Sequence, residues 1–326
     1  MKKTIYFLKL ICFAIIYLFI FASCSNNQNQ EEKQEILNNE KEKESTLIES
    51  EKTKETNDYF NKTIIETTSS EPEIVEIDWA KYFDGFHGTA VLYNVSNKQY
   101  LIFQPELALI QRSPCSTFKI ISSLIALEKK IIEPNNTTRL WSGEVFWNEK
   151  WNHNIDFREA FRESCVWYFR EVIDEIGKDI IQEELNKLQY GNCDISDWQG
   201  KLNTNNQNPA LTGFWIESSL LISPKEQTEV MERIFGANSI YSKETQNELK
   251  QVMQVTEQEK TDISIYGKTG MGKAEGVVVD AWFTGFAEGK EGNLYFCIYL
   301  GRTDQKEVSS IAAKKIAISL ISDYYK

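Results

Sequence analysis

Apolar and polar residues alternate in two short runs around "NVSNK" in the stretch "HGTAVLYNVSNKQYLIF". A period of two on both sides of a polar turn predicts a β-hairpin, His87–Tyr93 with Gln99–Phe103. The period becomes helical from Ser116, where Ile120, Ile121, Leu124, Ile125 and Leu127 line one broad face. From Thr138 to roughly Lys250 the pattern is helical with loops. "FREAFRESCVWYFREVIDEIG" follows Asp156, a good N-cap, and stops at Gly177, with an interruption at Ser164–Val166. "YGNCDISDWQGKLNTNNQNPALTG" reads as a long polar loop, and "SPKEQTEVMERIFG" as a second capped helix. β-Branched and aromatic residues return in "SIYGKTGMGK", "VVVDAWFTGFAE" and "NLYFCIYLG", and an amphipathic "VSSIAAKKIAISLISDYY" closes the chain. Strands, then helices, then strands and a helix predict a mixed α+β fold. One antiparallel sheet is flanked by helices, with the helical block inserted beside it. No internal repeat is present.

The N-terminus has a different pattern. "MKK" is a basic start, "IYFLKLICFAIIYLFIFA" is mostly apolar, and "FASC" closes the stretch. Ala22 and Ser23 before Cys24 resemble a relaxed bacterial lipobox, with Phe21 in place of the usual leucine. Residues 1–23 are therefore expected to be a lipoprotein-type signal peptide, with Cys24 lipidated and the chain held on the membrane facing the periplasm or cell exterior. An uncleaved anchor or an ordinary signal peptide are the alternatives, and all three export the remainder. Residues 25–73 hold 13 acidic residues against six lysines and almost no apolar periodicity. Such a segment cannot bury enough surface to offset its chain entropy, so a disordered acidic tether is expected, with residues 74–326 forming the catalytic domain.

Composition removes some function classes. A net charge of −12 argues against nucleic acid as a partner, because phosphate recognition needs a basic face. Beyond Cys12 and Cys24, four cysteines remain: Cys115, Cys165, Cys193 and Cys297. None forms a C-x-x-C pair and no cluster has metal-ligand spacing, so buried thiols and no metal are expected, with a disulfide pair as the alternative. There are two histidines, His87 and His153, and neither sits in a nucleophile-elbow context, so a Ser-His-Asp triad is not expected.

Three short motifs occur in order: "STFK" at Ser116–Lys119, "SCV" at Ser164–Val166 and "KTG" at Lys268–Gly270. A serine hydroxyl is a poor nucleophile without a base. Lys119, three residues on, shares the helix face of Ser116, and an apolar pocket would make its free amine available near neutral pH. The bland reading is a capping serine and a lysine reaching solvent. Ser164 could shuttle a proton to a leaving group, or be a helical serine bonded to a carbonyl. Lys268 and Thr269 can face an anionic group, Gly270 permits close approach, and the N–H of Met271 can point into a cleft. An ordinary turn glycine is the alternative.

Taken in order, S-x-x-K and K-T-G resemble the penicillin-recognising serine enzymes. The finer pattern is similar to class D β-lactamases, the oxacillinase family: "STFK", "SCV", "YGN" at Tyr190–Asn192 and "KTG", with "FWIESSLLIS" around Trp215 and "AWFTGF" at Ala281–Phe286. The match spans about residues 78–326. The resemblance implies hydrolysis of β-lactam antibiotics, penicillins and oxacillin-type compounds among them, through acylation of Ser116. Lys119 would carry a carbamate made from CO2, with no other cofactor, and Trp215 would bond it through its indole N–H. Phe118 and Val166 would form a dry wall, and Ser164 would relay a proton. Lys268 and Thr269 would line the substrate-carboxylate side, and the amides of Ser116 and Met271 would form the oxyanion hole. The final helix lacks the arginine many members use on that carboxylate, which leaves Arg302 as the candidate. A transpeptidase would show S-x-N where Val166 stands. A β-lactam sensor would acylate and stop, and such sensors hang from several membrane helices.

Overall fold

The computed structural model describes residues 71–133, 135–202, 207–255, 262–290 and 292–326. The expected signal segment, Cys24 and nearly all of the tether lie outside the described residues. The architecture is α+β, as the order of periods predicts. Six strands form one sheet: β1 (Glu73–Glu76), β2 (His87–Asn94), β3 (Gln99–Phe103), β4 (Ser264–Ala274), β5 (Val277–Gly289) and β6 (Gly292–Gly301), in the order β1-β3-β2-β6-β5-β4. Every pair is antiparallel except β1 with β3, which is parallel. The short run "EIVE" that makes β1 begins at Glu73, the last residue assigned to the tether. It has too little alternation to announce a strand, and the free edge of β3 recruits it.

Chain reversals are set locally. Glu275 and Gly276 both have positive φ, 51° and 80°, and join β4 to β5 as a two-residue turn whose twist matches the strands. One face of the sheet carries Ala281, Phe283, Phe296, Ile298 and Leu300, covered by the closing helix Ser310–Tyr324. The other face carries Phe286 and Tyr295 into a larger core shared with the helical block.

Outside that block, α1 (Ala80–Phe83) and α2 (Pro105–Ala108) are single turns; within it, α3 (Lys119–Glu128) is the central helix. The sequence suggests one apolar face for α3, yet Ile120 through Ala126 are all buried, Ser122 and Ser123 included. Two small hydroxyl residues let neighbours close on the side that periodicity would leave to solvent. Around α3 lie α4 (Phe157–Arg162), α5 (Val166–Ile176), α6 (Lys178–Leu188), α7 (Pro224–Phe235) and α8 (Lys243–Met253), and Ser310–Tyr324 is α9. Asp156 caps α4 by accepting from Glu159 N–H, and Ser223 caps α7 in a reciprocal capping box with Glu226. Cys115, Cys165 and Cys297 are free buried thiols, as expected, and Cys193 is free but only partly buried.

Candidate active site

Ser116 does not open an α-helix. It lies in a 3₁₀ turn, Cys115–Phe118, and the α-helix begins at Lys119. The turn is held from three sides. Cys115 takes a left-handed φ of 48°, and its N–H donates to Trp215 O at 2.9 Å. Thr117 Oγ1 donates to Pro114 O at 2.7 Å and accepts from buried Gln227 Nε2 on α7 at 2.9 Å. Strand β4 passes so close that a Cβ on Gly270 would stand 3.0 Å from Pro114 O and from Thr117 Cγ2. That close packing is why the third residue of "KTG" is glycine. Such an over-determined turn can hold a strained residue next to the nucleophile.

The interruption between α4 and α5 has an identifiable form. Ser164 N–H donates to Phe161 O at 3.2 Å and Cys165 N–H to Ala160 O at 2.8 Å, with Ser164 at φ 56°. This is a Schellman C-cap whose left-handed position, normally a glycine, is Ser164. The strain sets a hydroxyl into the cleft.

The two serines each face a lysine. Lys119 Nζ donates to Ser116 Oγ at 3.1 Å, and Lys268 Nζ, from β4, donates to Ser164 Oγ at 3.1 Å. Lys119 is 1% exposed and Lys268 5%. Burial lowers Lys119 to about 8, with its Nζ over the Phe169 ring. Burial, and then the neighbouring charges of Lys119 and Lys314, hold Lys268 well below the usual lysine range. Desolvation penalises the ammonium form, so a neutral amine beside Ser116 becomes accessible near neutral pH. The flanking thiols are inert by the same physics: burial pushes Cys115 and Cys165 up to about 12.

A cleft of about 330 Å³ opens over Ser116 and Ser164, lined also by Val166, Thr269, Gly270 and Met271. Its size suits a small ligand. β4 is the edge strand, so an extended ligand amide can pair with it, and Met271 there is 43% exposed. Trp215 is fully buried, stacked near Phe118 with ring centroids 6.0 Å apart, and its Nε1 has no hydrogen-bond partner among the described residues.

Three residues expected to face the substrate are absent from the lining: Phe118, Arg302 and Lys268, whose buried side chain stands behind Ser164. Phe118 is fully buried against Tyr190, Phe214 and Trp215 and does not line the cleft. The 3₁₀ turn points it away from Ser116, so it backs the pocket without touching a ligand. Arg302 follows the end of β6, pairs with Glu307 at 3.2 Å and is absent from the lining, whereas Ser310 at the start of α9 is present. The histidines are also outside it, and His153 lies 3.3 Å from Glu159. Sequence reasoning missed Trp147, Glu163, Leu211, Glu217 and Lys273, which also line the cleft. They come from loops and a strand end, where no periodicity singles them out.

Comparison with known proteins agrees with this geometry. Residues 85–321 match the penicillin binding protein transpeptidase domain family. The chain is 33% identical to β-lactamase OXA-1 of Escherichia coli over 245 residues, 74% of this chain and 86% of that protein. It is 28% identical to the regulatory protein BlaR1 of Bacillus licheniformis over 246 residues, 75% of this chain but only 38% of that protein's length. The crystal structure of a class D β-lactamase from Bacillus subtilis superposes with a TM-score of 0.65 at 27% identity, covering 76% of this chain and 95% of that one. The chain therefore belongs to the penicillin-binding protein transpeptidase domain family, and its resemblance within it is to class D β-lactamases and the BlaR1 sensor domain.

Proposed function

We propose that this protein is a serine β-lactamase that hydrolyses β-lactam antibiotics through an acyl-enzyme on Ser116. The observation that carries this reading is Lys119, buried and depressed to about 8, with Nζ 3.1 Å from Ser116 Oγ. As a neutral amine it takes the hydroxyl proton while Ser116 Oγ attacks the lactam carbonyl carbon. The backbone N–H groups of Ser116 and Met271 receive the developing oxyanion. Ser164 Oγ, polarised by Lys268, passes its proton to the lactam nitrogen as the C–N bond breaks and recovers the proton that Lys119 took from Ser116, which leaves the Lys119 amine neutral again. Thr269 faces the ligand's ring carboxylate, with Lys268 behind Ser164. Water then attacks the ester, Lys119 takes its proton and returns it to Ser116 Oγ as the ester bond breaks, and Ser116 is released.

The residues also suit a carbamate at Lys119. The amine is depressed enough to react with CO2, and Trp215 Nε1 is a buried donor in want of an acceptor. That group, held by Lys119 and Trp215, would supply a stronger oxygen base.

The similarity to BlaR1 supports a second reading, a β-lactam binder that acylates and stops. Turnover of benzylpenicillin and a chromogenic cephalosporin by the full chain, degassed and then supplied with bicarbonate, separates the two. Turnover that rises with bicarbonate is expected. Stoichiometric acylation of Ser116 without turnover under either condition establishes the binder. Lys119→Ala is expected to acylate slowly and to deacylate at least a hundredfold more slowly, the usual reach of a general base or more; near-normal turnover would sink the role given to Lys119.

A further inference from the structure

The direction in which Trp215 Nε1 points depends on what surrounds its ring. The backbone of Trp215 is tied to the nucleophile turn, where its carbonyl accepts from Cys115 N–H and from Ser113 Oγ, both at 2.9 Å. The indole fills space that Gly213 leaves, since a Cβ there would stand 2.0 Å from Trp215 Cζ3. Phe118 stacks near it at 6.0 Å between ring centres, and Phe214 meets it edge-on at 5.1 Å.

One further neighbour is charged. Arg170 on α5 is 6% exposed, and its guanidinium carbon lies 5.3 Å from the centre of the Trp215 ring and 5.3 Å from that of Trp198. Three hydrogen bonds fix the guanidinium. Nε donates to Asp174 Oδ2 at 2.9 Å, Nη2 donates to Asp174 Oδ1, and Nη1 donates to Trp198 O at 3.0 Å. Trp198 Nε1 donates back to Asp174 Oδ1 at 3.1 Å, which closes a ring of three residues. Arg170 and Asp174 are four apart, so α5 presents both on one face. The same helix carries Val166 into the cleft and Phe169 under Lys119 Nζ. A buried guanidinium is costly unless it is paired and stacked, and no step of the reaction above uses this one.

We propose that Arg170 is a positioning residue: stacked on Trp215, it holds Nε1 towards a carbamate on Lys119 and so sets how much CO2 the protein needs. This rests on the carbamate reading of Lys119. There the neutral Nζ bonds the carbon of CO2 and gives up one proton to water, and the group is lost again when Nζ regains a proton. A hydrogen bond from Nε1 to the carbamate oxygens shifts that balance towards the bound form.

The full chain is titrated with bicarbonate labelled for carbon NMR, and the carbamate signal of Lys119, absent in Lys119→Ala, reports occupancy without reference to turnover. Arg170→Gln is expected to need about tenfold more bicarbonate for half occupancy, the reach of one desolvated cation–π contact. Asp174→Asn changes a half-exposed carboxylate without emptying the core. It should shift half occupancy the same way by less, and it carries the test alone if Arg170→Gln does not fold. Acylation of Ser116 by benzylpenicillin after degassing, when the amine alone is the base, should stay within about twofold of wild type in both variants, which a general loosening of the site would not allow. Half occupancy unmoved in the variants, or degassed acylation falling in step with it, would overturn the proposal. A wild type with no carbamate signal ends the carbamate reading and this inference with it, whereas a wild-type signal that neither variant moves ends this inference alone.

Discussion

Lys119 is enclosed by the Phe169 ring and lies near the thiols of Cys115 and Cys165, where an ammonium is poorly solvated. The depression has a consequence for stability as well as for chemistry. The folded lysine titrates near 8 and the unfolded one near its ordinary 10.5. Between those values the unfolded chain holds a proton that the native state has released, so native stability rises with pH across that window. The full rise is about 3 kcal/mol from the two pKa values. Lys119→Met removes it, so urea unfolding at pH 7.5 and pH 10 should show the wild type gaining on the variant by most of that amount. Equal gains would mean that Lys119 is not desolvated. The same titration should appear in acylation by the wild type, rising through pH 8 at fixed CO2 as the amine becomes neutral.

At the scale of the element, the break between α4 and α5 places the second serine. A helix that ended in glycine would be more stable there, because a left-handed residue with a Cβ costs about 1 kcal/mol. Ser164→Ala and Ser164→Gly both delete the hydroxyl bonded by Lys268. Their difference isolates the backbone. Ser164→Gly should be the more stable of the two by about 1 kcal/mol, the reverse of the ranking inside a helix. Both variants should lose turnover. Thermal melts that rank alanine above glycine would show that the Schellman geometry does not persist in solution.

For the whole molecule, the site exists because three separate pieces of chain meet. The 3₁₀ turn packed on β4 brings Ser116, the α4–α5 junction in the helical block brings Ser164, and β4 itself brings Lys268. The sheet supplies the rigid edge, and the helical block supplies the dry wall around the lysines. The lipobox-like "FASC" leads to one further proposal at this scale, attachment of the chain to a membrane through Cys24. Cys24→Ala should move the protein from the membrane fraction to the soluble exported fraction, and unchanged partitioning would refute lipidation.

Apolar period and β-branched and aromatic content determined the hairpin, the capped helices, the three long C-terminal strands and the closing helix; β5 and β6 read as near-continuous apolar runs because both faces of the sheet are covered. The ordered motifs likewise made Ser116, Lys119, Ser164 and Lys268 legible, since their residue types are demanded by the chemistry. The 3₁₀ form of the nucleophile turn was not legible, because Trp215 O, Gln227 and β4 impose it from distant parts of the chain. Nor was the parallel strand β1, whose "EIVE" has no pattern until β3 offers it an edge. Arg302 looked available in one dimension and is committed to Glu307 in three. Glu217 carries no sequence signal at all: its place follows from two hydrogen bonds, to Ser113 and Lys273, that join walls more than fifty residues from it on either side. Local pattern encodes what a segment buries, whereas the partners that orient a side chain are chosen only when the layers close.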